Sequence, residues 1–101
     1  MSREIADTAT TVVLVLDGDT DAGYQLARRL LADGRRVAVV ARHPSGGVRV
    51  MHGYSADQVM VIAGDTTDQR QWSRMTERVL DRFGRIDTVV RAQDATLRAS
   101  A

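Results

Sequence analysis

Asp17, Asp19 and Asp21 stand at alternate positions directly after an apolar run, in Leu16-Asp17-Gly18-Asp19-Thr20-Asp21-Ala22-Gly23. Oxygen ligands at this spacing suit a hard divalent cation, and they fill the first three ligand positions of a calcium loop. That loop needs a glycine at its sixth position and a glutamate at its twelfth; Ala22 and Arg28 stand there instead, so calcium chemistry fails. A weak magnesium site remains as one reading of the cluster, and solvated carboxylates with one helix cap as the plainer one. His43 and His52 flank a glycine-rich stretch with no carboxylate or thiol at ligand spacing, which points to a loop or surface role. All 14 basic residues are arginine. The absence of lysine removes Schiff-base chemistry and lysine-assisted catalysis. The expectation is therefore no catalytic residue and no metal.

The elements that must position these groups follow from the apolar pattern. Thr11 to Leu16 is a continuous β-branched and apolar run, as in a strand buried on both faces. Asp21 is the expected N-cap of a helix carrying Gly23, Leu26, Ala27, Leu30 and Leu31 at helical spacing, with Gly34 as its left-handed stop. Val37 to Ala41 reads as a second strand, which completes a right-handed βαβ unit. His43 to Gln58, with Pro44, Gly46, Gly47 and Gly53, reads as a loop holding a short strand at Val48 to Met51. Val59 to Ala63 is the third strand. Asp68 caps a helix with apolar positions Trp72, Met75, Val79, Leu80 and Phe83, ended by Gly84, and Ile86 to Val90 is the fourth strand.

Alternating strands and helices imply an α/β, Rossmann-like, doubly wound parallel sheet of about four strands in order 3-2-1-4 with two main helices. The connection to the fourth strand crosses the first, so its helix lies on the opposite face from the first helix. One long helix then covers each face, and the outer edge of the fourth strand is left open. Residues 1–101 read as one domain with flexible tails at 1–10 and 92–101. The face of Arg70, Arg74, Arg78 and Arg82, with Glu77 and Asp81 nearby, reads as solvated or as a dock for an acidic partner.

Hydrophobic content of 44% against 27% charged residues fits a folded chain. A net charge of +1, with no basic run, gives no field for nucleic acid or a membrane surface. There is no cysteine, no apolar leader in Met1 to Asp7, and no stretch long enough to span a bilayer, so a cytoplasmic location is expected.

From Thr11 to about Asp94 the chain resembles the N-terminal half of the short-chain dehydrogenase/reductase family. The matching residues are Ala27 to Gly34, Val37 to Arg42, Gly64-Asp65-Thr66-Thr67-Asp68 and Phe83-Gly84-Arg85-Ile86-Asp87. On that frame the family's T-G-x-x-x-G-x-G turn falls on Leu16 to Gly23: Leu16 replaces the threonine, Asp17 the first glycine and Asp21 the second, and only Gly23 survives. Those glycines let the backbone approach a pyrophosphate and leave helix amides free to bind it. Asp21 is expected to cap the amides instead, and two like charges at close range near a surface repel by about 4 kcal/mol. The family's N-N-A-G reads Arg91-Ala92-Gln93-Asp94, and the catalytic serine, tyrosine and lysine lie beyond the matched region.

The resemblance implies three residual cofactor-side positions. Gly23 belongs to the turn, Arg42 stands where a cation meets the ribose 2′-phosphate of NADP, and Asp65 where a carboxylate accepts from the adenine amino group. Plainer roles stay open, a solvated Arg42 and an Asp65 that caps a turn before Asp68. Asp17-Gly18-Asp19 after an apolar strand is also similar to the first motif of haloacid-dehalogenase-type phosphotransferases, but the lysine that steadies their phosphoryl group is absent. The expectation is a truncated, degenerate short-chain-dehydrogenase-like domain without catalysis or a cofactor. It would be structural or regulatory, partnered by itself or by another subunit such as a full-length dehydrogenase. The rival is an NADP-binding oxidoreductase component completed by a partner, and a third reading is a gene remnant without selected function.

Overall fold

A computed structural model of the protein describes residues 11–91; the expected tails at 1–10 and 92–101 lie outside the described residues. Its elements are β1 (Val12–Leu16), α1 (Asp21–Ala32), β2 (Arg36–Ala41), a single helical turn α2 (Pro44–Gly47), a 3-10 turn (Val48–Met51), β3 (Val59–Ala63), α3 (Gln69–Phe83) and β4 (Thr88–Arg91). The four strands are parallel in the order β3-β2-β1-β4, the expected α/β topology. Among the described residues no helix is long and apolar enough to cross a membrane.

Alternation along the strands divides the core into two layers. On one face Val13, Val15, Val37, Val39 and Val59 meet Ala27 and Leu31 of α1 and Val50 of the 3-10 turn. On the other, Val12, Leu14, Leu16, Ala38, Val40, Met60 and Ile62 meet Met75, Val79 and Phe83 of α3. Each long helix thus covers one face, as the crossover rule requires. Asp68 caps α3 as expected, accepting from the Arg70 amide at 3.0 Å and the Gln71 amide at 3.3 Å. Gly84 ends that helix at φ 82°, and its N–H reaches Leu80 O at 2.8 Å, a left-handed stop that suits glycine. Gly34 closes α1 in the same way, at φ 88°.

Four local expectations are corrected. Val48 to Met51 forms a 3-10 turn and not a strand: only Val50 enters the core, while Val48 is exposed, and a single anchor suits a turn. The N-cap of α1 is Thr20, whose Oγ1 accepts from the Gly23 amide at 3.0 Å, so Asp21 is the first helical residue. Leu80 is 46% exposed, turned away from the buried line of Met75, Val79 and Phe83. Trp72 packs against that core only half-buried.

Asp87 fastens the start of β4 to β1. Its carboxylate accepts from the Val12 amide at 2.8 Å and pairs with Arg85 at 2.6 Å. The Arg85 hydrogen bonds, and then the Val12 amide, hold its pKa below the ordinary 3.8. A carboxylate whose pKa is depressed in the folded state stabilises it above the unfolded value and loses that contribution as pH falls through the folded value. Acid melts should therefore show stability falling below about pH 4. Asp87→Asn should be less stable at neutral pH and show a shallower acid slope, read by thermal melts between neutral and acidic buffers.

Candidate functional site

Leu16 to Gly23 leaves the C-terminal end of β1, the strand flanked by β2 and β4, where the winding of the sheet reverses and a crevice opens. The backbone there is tightly constrained. Asp17 adopts a left-handed φ of 59°, a conformation glycine takes freely and aspartate tolerates among L residues. The Gly18 amide donates to Val40 O at 2.8 Å, and a Cβ on Gly18 would lie 1.8 Å from Val39 Cγ1. A Cβ on Gly23 would lie 2.1 Å from Asp17 O, so α1 and the loop approach each other closely at that glycine. Thr20 Oγ1 donates to Asp17 O at 2.7 Å and accepts from Gly23, closing the turn from within.

The crevice has a volume of about 290 Å³ and is lined by Asp17, Asp19, Thr20, Val40, Arg42, Gly64, Thr66, Thr67 and Arg91. It therefore holds carboxylates and guanidiniums together. Arg91 was not anticipated as a site residue; it pairs with Asp17 at 3.7 Å. Its place directly after the apolar run of the fourth strand was the available signal, since such positions face the crevice. Asp21 departs from the expected role: 87% exposed, it pairs with Arg49 at 2.7 Å. Arg49 also lies 4.3 Å over the Tyr24 ring. Arg28 stacks 4.9 Å over Tyr54 and donates to the Val50 and His52 carbonyls. Together these arginines clamp the segment after β2 onto α1, and the sequence reading did not foresee them. Among the described residues no cluster of three or more metal-ligating side chains forms.

The three residues singled out on the cofactor side part company. Gly23 sits at the close approach beneath the loop. Arg42 lines the crevice and is exposed. Asp65 serves its own turn through Oδ1, which accepts from the Thr67 hydroxyl at 2.7 Å and the Thr67 amide at 2.9 Å. These bonds, with a smaller contribution from Arg42, hold its pKa below 3.8. It serves the turn that precedes Asp68.

A sequence profile described as short chain dehydrogenase matches residues 11–95. The chain belongs to the short-chain dehydrogenase family. Among curated relatives, the ipsdienol dehydrogenase of Ips pini is 29% identical over 80 residues, which cover 79% of this chain and 30% of that protein. A short-chain dehydrogenase from Streptomyces avermitilis superimposes with a TM-score of 0.72 at 28% identity, covering 79% of this chain and 29% of its own. The 3-ketoacyl-(acyl-carrier-protein) reductase of Brucella melitensis, solved in complex with NADH, has the same fold, with a TM-score of 0.73 at 24% identity over 78% and 32% of the two chains. The chain thus spans about a third of the length of the proteins it matches.

A short-chain dehydrogenase loop accepts a pyrophosphate on free amides beside glycines. Here the Gly18 and Gly23 amides are already engaged, and two carboxylates line the crevice. The residues present do not fit a diphosphate.

Proposed function

We propose that these residues form a non-catalytic short-chain-dehydrogenase-like domain, a pseudoenzyme that acts as a structural or regulatory subunit. It would work by associating with a second copy or with another subunit, such as a full-length dehydrogenase. The observation that carries this reading is the pair Asp17 and Asp19 on the crevice wall, beside amides already spent within the protein. The lack of lysine supports it, since the family's serine-tyrosine-lysine set has no lysine to draw on within these 101 residues. Among the described residues the outer edge of β4 pairs with no strand and Val89 is exposed, which supplies a reason to associate.

The rival reading, an NADP-binding oxidoreductase component completed by a partner, draws on the two arginines that face the crevice, Arg42 and Arg91. Arg91 is partly neutralised by Asp17, which leaves Arg42 as the cation for a phosphorylated ribose. Sedimentation at micromolar concentration, together with purification of the native protein from its own cells, tests the association. The expected result is a species of at least two chains. A monodisperse, well-folded monomer that comes from its cells without a subunit would overturn the reading.

A further inference from the structure

We infer that the crevice closed to a diphosphate is instead the seat of a small zwitterion, an amino acid whose ammonium meets Asp19 and whose carboxylate meets Arg42. The inference goes beyond the association reading and shares one premise with it, that no dinucleotide fills this crevice. Four charged side chains line it: Asp17, Asp19, Arg42 and Arg91. Asp17 and Arg91 pair with each other at 3.7 Å. One acid and one base remain. Among the described residues neither the Asp19 nor the Arg42 side chain has an ion pair or a hydrogen bond. The Thr67 bonds, and to a smaller extent the Arg42 charge, lower the pKa of Asp65, yet Arg42 and Asp65 form no ion pair.

Charge selects the class of ligand. A simple anion on Arg42 would share the crevice with the carboxylates of Asp17 and Asp19, and a simple cation on Asp19 would share it with two guanidiniums. A ligand that carries both signs satisfies both of the leftover groups and opposes neither. A volume of about 290 Å³ lies at the lower end of ligand pockets and suits a molecule of amino-acid size.

A binding site also needs its groups in place before the ligand arrives. Asp19 is half-buried, on a turn whose neighbouring residues are fixed. The Gly18 amide donates to Val40 O at 2.8 Å, and the Thr20 amide and hydroxyl both donate to Asp17 O, at 3.2 and 2.7 Å. Gly46 leaves the room that Asp19 fills: a Cβ on Gly46 would lie 2.6 Å from Asp19 Cβ. Gly46 is not among the glycines with positive φ, so space and not backbone conformation calls for glycine there. Arg42 follows directly on β2, a strand paired on both sides. Acid and base thus stand on separate, well-anchored supports around one crevice.

Each end of the ligand makes a partly exposed ion pair, worth about fivefold in a binding constant, so millimolar affinity is expected. The test is titration of the protein at constant ionic strength, followed by the amide signals in nuclear magnetic resonance spectra. The probes are glycine, β-alanine and 4-aminobutyrate, whose two charges lie progressively farther apart. One of them should saturate at millimolar concentration and move the signals of residues 17–20 and 64–67. Acetate and methylammonium, each carrying one half of the charge pattern, should bind about fivefold more weakly. Asp19→Asn and Arg42→Gln should each weaken the zwitterion about fivefold, with the rest of the spectrum unchanged. Gly46→Ala should weaken it by displacing Asp19, whereas Asp21→Asn, whose carboxylate pairs with Arg49, should leave it unaltered. Failure of all three zwitterions to saturate, or acetate binding as well as the best of them, overturns the inference. If NADP also fails to bind, the non-catalytic reading stands without it; submillimolar NADP binding overturns both.

Discussion

Gly23→Ala should destabilise the fold by about 3 kcal/mol, the upper part of the range for overpacking a tight contact. The added methyl would sit 2.1 Å from Asp17 O and 2.9 Å from the Asp17 carbonyl carbon, both backbone atoms. Neither can step aside without moving a residue already held at a left-handed φ and bonded to Thr20. In a domain of this size the loss corresponds to a melting temperature lower by about 15 °C. Gly34→Ala provides the contrast. Nothing lies within 4 Å of its Cβ, so only the positive φ opposes it, at a cost of about 1–2 kcal/mol. Thermal melts of the two variants separate contact from conformation, and equal losses would show that the α1–loop approach is looser than described.

The second large effect concerns ligand affinity. Asp17→Gly with Asp19→Asn should tighten NADP binding about 100-fold, roughly a factor of ten for each carboxylate removed from the crevice wall. Both side chains line the crevice, whereas Asp21 points to Arg49 and should matter less. Replacing Asp17 also frees Arg91 from its pair and relieves the left-handed backbone. A small gain of stability, about 0.5 kcal/mol, should accompany the gain in affinity. Isothermal calorimetry of the double variant against NADP measures the effect. Unchanged affinity would mean that the carboxylates are not what excludes the dinucleotide.

The elements that were legible are those whose signals are local and redundant. β1, β2 and β3 are unbroken apolar runs, and α3 carries a cap, a buried stripe and a glycine stop that all agree. The cap of α1 was displaced by one residue because Thr20 and Asp21 are both good capping types, and only the backbone decides which one precedes the helix. In the stretch after β2, Val48 and Val50 alternate as in a strand, yet the segment forms a 3-10 turn. What holds it is tertiary: Val50 beneath α1, and arginines 28 and 49 on two tyrosines.

The site was legible in its charge and not in its pairing. The aspartates stand where the motif's alignment puts them, and Asp17 and Asp19 do line the crevice. That Arg91 would cross from β4 to Asp17 depends on geometry between elements that no spacing along the chain encodes.

The most direct test of the account is titration of the wild-type protein with NADP and with 2′,5′-ADP, followed by calorimetry. The expected result is no saturation below millimolar concentration with either ligand, because two carboxylates and spent amides occupy the place of the diphosphate. Submillimolar binding that disappears in Arg42→Ala would contradict it and return the domain to its family's cofactor chemistry.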